Sequence, residues 1–498
     1  MKKRLFTLLT AALVALAFVA SGCSGSLAGY DYTGKSDREF QFKTFLGLPG
    51  KMPIYNANET SYYLKSLTDE EFDTYYREMA EAGFTVATAP SSPEGESHNL
   101  RMLDAAEKYG LHQLLGEMIS ADGISLTGLM QGRGFDPFGN EYGDETVYSE
   151  ARIRELLGEF LEPYLDHPAF YGLAIWDEPS KIYYDRIESV RKIFEEVAPG
   201  KLLYVNLLPI TADRDGMGLE AGQDVSVYAQ EFIEKVDLPY ISYDRYPIMD
   251  NGDGTTRINE DFLYNMQIYR QAADSDPDGS RELWTYLLAT EHTFGTDTFA
   301  QPDNIADIRW QVYAFLAFGG DSITWFTYFP PEPIDQHGTS FGVGPYDRKG
   351  RKTDIYYYIK QVQQEVHAFE EVYFNFDWKS VITVMGEKNE DGFVDSYDWL
   401  DPGFAAEGHE RISSLSCEQD TLIGCFEDAE GQDGFMVMNY AEPGALKESR
   451  TRIAFQDAYA AAVYRRGEKR IVKLGHGGTL NFTLLAGEGV FVVPLAKK

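Results

Sequence analysis

The sequence predicts a (β/α)8 TIM barrel, an eight-stranded α/β barrel, followed by a small C-terminal antiparallel β-sandwich. Three observations predict it. Residues 39–380 alternate short apolar stretches with amphipathic helical stretches eight times. Several of the apolar stretches are apolar throughout, as strands are when helices cover both faces. Beyond about residue 380 the helical period vanishes and short strand-like runs follow one another across turns. An open doubly wound sheet shares the first two features, but eight regular units over about 330 residues favour closure.

The first strand is Gln41–Pro49. Thr68 and Glu71 then make a capping-box pattern that opens a helix to about Ala82. Phe84–Pro90 is the second strand, and a helix over Asn99–Tyr109 leads to the third, Leu111–Glu117. The helix from Ser149 places Ile153, Leu156, Leu157, Phe160 and Leu161 on one face, a period near 3.6. It precedes the fourth strand, Tyr171–Trp176. Ile187, Val190, Phe194 and Val197 stripe the next helix, which Pro199 and Gly200 stop. Strand five is Lys201–Pro209. A helix around Tyr228–Val236 precedes strand six, Pro239–Pro247, and one around Asp261–Ala273 precedes strand seven, Leu283–Glu291. The helix Asn304–Phe318 ends at Gly319 and Gly320, strand eight is Ser322–Tyr328, and a last helix from Asp354 carries Ile355, Ile359, Val362, Val366 and Phe369. In the C-terminal part, residues 381–498, strands are expected at Phe435–Tyr440, Arg452–Phe455, Ala460–Arg465, Arg470–Leu474, Thr479–Leu485 and Gly489–Leu495.

The N-terminus reads as an export signal rather than as part of the fold. Lys2, Lys3 and Arg4 precede an apolar run, Leu5–Ala20, and then Ser21, Gly22 and Cys23. The end of that run resembles a bacterial lipobox, with Ala20 where a Leu is usual. This makes residues 1–22 a lipoprotein signal peptide and Cys23 the lipidated first residue of the mature chain. Residues 23–38 would be a flexible tether to the membrane, placing the protein in the bacterial cell envelope, outside the cytoplasm. An ordinary secretory signal cut near Ala20, or a membrane anchor, are the alternatives.

The formal net charge of −35 becomes −38 once Lys2, Lys3 and Arg4 are removed with the signal. So acidic a body repels nucleic acid and anionic lipid and favours neutral or cationic partners. The 33 Tyr and 31 Phe suit stacking on sugar faces as well as core packing. Cys417 and Cys425 read as two buried thiols, because a simple hairpin near Gln419 would not set them opposite each other. The eight His form no ligand-spaced pairs, so no metal and no cofactor is expected, and a metal-dependent barrel hydrolase is disfavoured.

The segment Ala174–Ser180, AIWDEPS, concentrates the chemistry. A buried strand runs into Asp177 and Glu178, and Pro179 stops it because proline has no N–H for a ladder. In an eight-stranded barrel such a strand end lies on the active-site rim. Asp177 or Glu178 could instead cap the helix that follows Pro179, a role that suits Asp177 more readily. Trp176, Tyr246, Trp284, Trp325 and Tyr328 are aromatics at strand ends that suit sugar stacking, with Trp325 and Tyr328 the preferred platform. Asn206 suits a hydrogen bond to a substrate hydroxyl or a cap on its own loop. His292 suits sugar binding or the orientation of Glu291. Asp244 and Glu117 are rival rim carboxylates.

On these residues the chain resembles barrel glycoside hydrolases of the retaining clan that includes family 42 and family 5 enzymes. WDEP (Trp176–Pro179) sits where that clan ends strand four in Asn-Glu-Pro. ISYDRYP (Ile241–Pro247) looks like its strand-six segment, and Ile308–Tyr328 like its helix-seven to strand-eight region. GEGVFVVPL (Gly487–Leu495) is similar to the last strand of the sandwich appended to such barrels. The resemblance implies a carbohydrate substrate and cleavage of O-glycosidic bonds, with Glu178 as acid/base and Glu291, at the end of strand seven, as nucleophile. Two departures stand against it: Asp177 replaces the usual Asn, and Thr85–Pro93 lacks the usual Arg. They leave open a non-catalytic carbohydrate-binding lipoprotein on a decayed hydrolase barrel. The sugar, the linkage and the oligomeric state are not legible.

Overall fold

The computed structural model describes residues 27–45, 51–55, 62–88, 95–116, 126–131, 149–277, 281–331, 339–388 and 395–497. Cys23, the signal segment and Glu117 lie outside the described residues. Eight parallel strands form one sheet: β1 (Gln41–Thr44), β2 (Val86–Thr88), β3 (His112–Leu115), β4 (Phe170–Asp177), β5 (Leu202–Asn206), β6 (Tyr240–Asp244), β7 (Glu282–Leu288) and β8 (Ser322–Phe326). Sequence neighbours pair in parallel from β1 to β5 and from β6 to β8, and β8 pairs with β1. The remaining seam, between β5 and β6, is bridged at Leu207 and Tyr243, where the Leu207 N–H donates to Ser242 O at 2.8 Å. The barrel therefore closes, as the eight-unit pattern predicts.

Its interior is filled by aromatic and small polar side chains. Tyr240 and Trp284 stack at 3.8 Å, and the Lys43 ammonium sits over the Trp284 ring at 3.6 Å. Burial pushes Lys43 down to about 7. At the N-terminal end Arg38 ties β7 to β8 through Glu282 and Asp321, both at 2.8 Å.

The segment expected to be a tether is docked from Leu27 onward. Tyr32 is buried and donates to Asp428 at 2.6 Å, Tyr30 packs on Tyr459 with ring centroids 5.0 Å apart, and Lys469 pairs with Asp31 at 2.6 Å. Two tyrosines supply apolar area that the Gly- and Ser-rich composition obscures, so this stretch straps the barrel's entry to the C-terminal domain.

That domain is a sandwich. A six-stranded antiparallel sheet contains Phe376–Val384, Thr421–Asp428, Asp433–Asn439, Gly489–Ala496, Ala458–Arg465 and Glu468–Lys473, and a three-stranded one Ile412–Cys417, Ser449–Phe455 and Thr479–Leu484. Ile423, Val437, Phe455, Leu484 and Val492 fill the space between them. Cys417 and Cys425 lie on different sheets, buried and unbonded.

The helix Ile305–Ala317 joins the two halves. It starts in a capping box of Asn304 with Asp307 and is buried on nearly every side, which explains why its apolar residues show no single stripe. Trp310 donates to Tyr440 O at 3.2 Å, and Trp378 of the sandwich to Ala317 O at 3.0 Å. Gly487, at φ +67°, brings its backbone so near that a Cβ would stand 2.4 Å from Ala306 O. On the opposite side Arg309 and Glu365 form a buried ion pair, with 5% and 4% of their side chains exposed. Arg309→Met, which leaves Glu365 buried without a counter-charge, is expected to cost about 3–5 kcal/mol. A urea midpoint measurement checks it, and adding Glu365→Met should restore much of the loss.

The strand pattern did not foresee a second sheet above the barrel's C-terminal rim. Strands Ile248–Asp250, Thr256–Ile258, His292–Phe294, Asp297–Phe299 and Ser340–Phe341 come from the segments after β6, β7 and β8 and pair antiparallel. They form one wall of the cavity described next.

Candidate active site

A cavity of about 550 Å³ opens at the C-terminal rim. Its lining includes Asp177 and Glu178 from the end of β4, Asn206 from β5, Asp244, Arg245 and Tyr246 from the end of β6, Tyr286 from β7 and Phe326 from β8. His292, Phe294, Asp297, Phe299 and Phe341 face it from the rim sheet, and Asp213 and Gly216 from a loop after β5.

Local backbone geometry puts two consecutive acids in this one cavity. Neighbouring residues of a strand point to opposite faces. Glu178 breaks that alternation by adopting φ +58°, the left-handed region that costs a non-glycine residue about 1–2 kcal/mol. Its N–H donates to Asn206 O at 2.8 Å, which holds the turn in place.

A chain of hydrogen bonds orients the acids. Ser242 donates to Asn206 Oδ1 at 2.9 Å, and Ser242 lies 3.0 Å from the Tyr204 hydroxyl. With its oxygen so occupied, the Asn206 amide turns its NH2 to Asp177 and Asp244, at 3.2 Å each. Glu178 is hydrogen-bonded to Asp244. A bond between two carboxyl groups needs a proton on one of them. Burial, then the charges of Asp244 and Asp177, then this bond raise Glu178 well above the usual carboxylate range. Burial pushes Asp177 up to about 6, against the Asn206 bond. Asp244 rises to about 7, through burial and then the charge of Asp177. Asp177 and Glu178 still expose surface to the open cavity, whereas Asp244 is 9% exposed. Glu178 is thus the group whose surroundings favour the protonated form, and Asp177 is more accessible than Asp244.

Of the residues singled out from the sequence, the structure brings Asp177, Glu178, Asn206, Asp244, Tyr246 and His292 together on this cavity. Asn206 holds the carboxylates; it neither caps its loop nor has a free amide for a sugar. Three expected stacking platforms need correction. Trp284 lies inside the barrel beneath Lys43 and against Tyr240, and Tyr286, two residues on, takes the cavity position. Trp325 faces outward, donating to Gln363 on the helix Asp354–His367 at 2.9 Å. Tyr328 is fully buried among Phe84, Phe329 and Tyr346.

Glu291 is not among the residues lining the cavity. Strand β7 ends at Leu288, three residues before it, and the N–H groups of Ala289 and Thr290 both donate to Phe326 O. Glu291 leads into the rim sheet beside Gly342, whose N–H donates to Glu291 O at 2.8 Å. A Cβ on Gly342 would meet the Glu291 Cβ at 2.8 Å. Burial, then Asp250 and Asp303, raise its carboxyl.

The sequence reading missed Phe294, Phe299 and Phe341 as wall residues. The alternation in HTFGTDTF (His292–Phe299) about Gly295 is a hairpin signal that would have found the first two.

No family model and no curated relative matches the sequence. Solved structures do. A family 39 glycoside hydrolase from the gut symbiont Bacteroides cellulosilyticus WH2 is 12% identical, covering 92% of this chain and 100% of its own, with a TM-score of 0.47. A family 5 glycoside hydrolase from Bacteroides vulgatus ATCC 8482 is 11% identical over 91% and 95%, TM-score 0.48. A monomeric β-xylosidase from Caulobacter crescentus CB15 is 11% identical over 94% and 98%, TM-score 0.44.

Proposed function

We propose that this chain hydrolyses glycosidic bonds at the rim cavity, with Glu178 giving its proton to the leaving oxygen. One observation carries the reading: Glu178, raised well above the usual carboxylate range by burial and by Asp244 and Asp177, stands with those two acids in an open cavity walled by aromatic rings. Glycoside cleavage needs an acid for the leaving group and a carboxylate for the anomeric carbon or for water, with environments that separate their pKa values.

The part of Asp244, hydrogen-bonded to Glu178, is to hold and set the acid. Asp177 is the carboxylate that meets the charge developing at the anomeric carbon. The family resemblance gives the nucleophile role to Glu291, which is not among the residues lining the cavity. Phe294, 69% exposed at the mouth, offers a face for stacking a sugar ring.

The test is turnover of a broad oligosaccharide panel by the purified protein and by Glu178→Gln. Turnover unchanged by the substitution would remove Glu178 from the chemistry, and glycan binding with no turnover would favour the decayed-hydrolase reading. The anomer released first, followed by NMR, separates retention from inversion.

Anchoring to the cell envelope through a lipid on Cys23 belongs to the same proposal. It is supported by the basic, apolar and small-residue order of residues 1–23. The intact mass of protein extracted from envelopes reads it: a diacylglycerol mass on a chain starting at Cys23 supports it, and an unmodified chain starting elsewhere defeats it.

A further inference from the structure

One wall residue of the cavity, His292, has its tautomer set by a backbone carbonyl and takes no part in the proposed acid–base step. His292 is 6% exposed and lines the cavity. Its ring stacks on Phe299 with centroids 4.6 Å apart and meets the rings of Tyr246 at 4.9 Å, Phe326 at 5.0 Å and Phe341 at 6.1 Å. Nδ1 stands 3.0 Å from Thr290 O. A carbonyl oxygen only accepts, so Nδ1 carries the ring proton and Nε2 presents a lone pair. Among the described residues Nε2 has no hydrogen-bond partner. Burial pushes the imidazole down to about 4, so the ring is uncharged at neutral pH.

The charged groups of the described wall are mostly acidic, while the hydroxyls of Thr211, Tyr246, Tyr286 and Thr339 can donate as well as accept. Asp177, Asp213, Asp244 and Asp297 accept hydrogen bonds when ionised, and burial beside Asp244 and Asp177 raises Glu178 well above the usual carboxylate range. The cation of the described lining, Arg245, is bound to both oxygens of Asp261 at 2.6 Å each. Among the described residues a ligand here meets more carboxyl groups than cations, and at His292 Nε2 a lone pair.

Resting on the hydrolase reading of this cavity, we propose that it takes neutral or amino sugars and excludes uronate and sulfated ones, and that His292 Nε2 is the uncharged acceptor that receives one hydroxyl or amine proton of the ring bound there. His292 is a specificity residue in this scheme, with no part in bond cleavage. An anionic ring would place its charge among the wall's carboxylates, where the medium screens it less than bulk water does.

The experiment uses the full chain carrying Glu178→Gln, so that bound sugars persist. Calorimetry would measure binding of tetrasaccharides of glucose, galactose, mannose and xylose, of glucosamine, and of galacturonate and glucuronate. The expected result is binding by at least one neutral or amino member, at least about 30-fold weaker binding by every uronate, and a loss of about 10-fold or more on His292→Phe. His292→Gln, which keeps an acceptor oxygen, should stay within about 3-fold of the parent. An imidazole ¹⁵N spectrum at neutral pH should show an unprotonated Nε2 that shifts when the sugar binds. Uronate as the tightest ligand, no binding by any member, or binding indifferent to His292→Phe would each overturn the proposal. Binding in this pattern without turnover by the unsubstituted chain would defeat the hydrolase reading and leave this one standing; turnover of a uronate would do the reverse.

Discussion

Glu178→Gln is expected to lower kcat/KM by about 10²–10⁴-fold on any glycoside the protein cleaves, the range that a positioned general acid contributes. The amide keeps the shape and can donate to Asp244, the backbone N–H keeps its bond to Asn206 O, and there is no acidic proton to give. The loss should be smallest on aryl glycosides, whose leaving groups need little protonation. The pH profile carries the same argument. Activity should fall as pH drops through about 6, where Asp177 takes up a proton. It should fall again as pH rises past the raised pKa of Glu178, where the acid is lost. The observed limbs belong to the coupled carboxyls as a set. Asp244→Asn removes a neighbouring negative charge and the carboxylate that accepts the Glu178 proton, both of which hold Glu178 up. The alkaline limb of kcat/KM should therefore move to lower pH. An unmoved limb would show that another group sets it.

The second large effect concerns the partner carboxylate. Asp177→Asn is expected to reduce kcat by about 10²–10³-fold, because it removes the charge that faces the developing cation while keeping the hydrogen-bonding shape. Glu291→Gln should change kcat/KM by less than about 3-fold, since its carboxyl group stands outside the cavity wall. The two substitutions decide between the local geometry and the family pattern. Azide rescue of a Glu291→Gln enzyme that had lost its activity would restore the nucleophile assignment and force the rim sheet to rearrange on substrate binding.

The positions of all eight barrel strands were legible in the sequence, and so was the placement of Asp177 and Glu178 at a rim. Both are local properties: an apolar run has a length and an end, and Pro179 marks the end. The sandwich was legible as a class, although Phe376–Val384, Ile412–Cys417 and Thr421–Asp428 were not picked out. What failed was the direction of side chains. In β8, Ser322 bonds Lys43 inside the barrel and Phe326 lines the cavity, so the alternate residues Ile323 and Trp325 face the helices. A strand covered on both faces is apolar on both, and its sequence does not say which face is the inner one.

The sequence by itself determined the barrel, the appended sandwich and the acid pair at the end of β4, because period, strand length and a terminating proline act over a few residues. The tertiary structure alone decided which carboxylates share a cavity. Asp244 and Asn206 meet Asp177 and Glu178 because β4, β5 and β6 are brought side by side, 29 residues separating Asp177 from Asn206 and 38 separating Asn206 from Asp244. Glu291 parts from them because β7 ends early and its chain turns into the rim sheet. Those outcomes depend on register and closure, which are properties of the whole ring of strands and of no single segment.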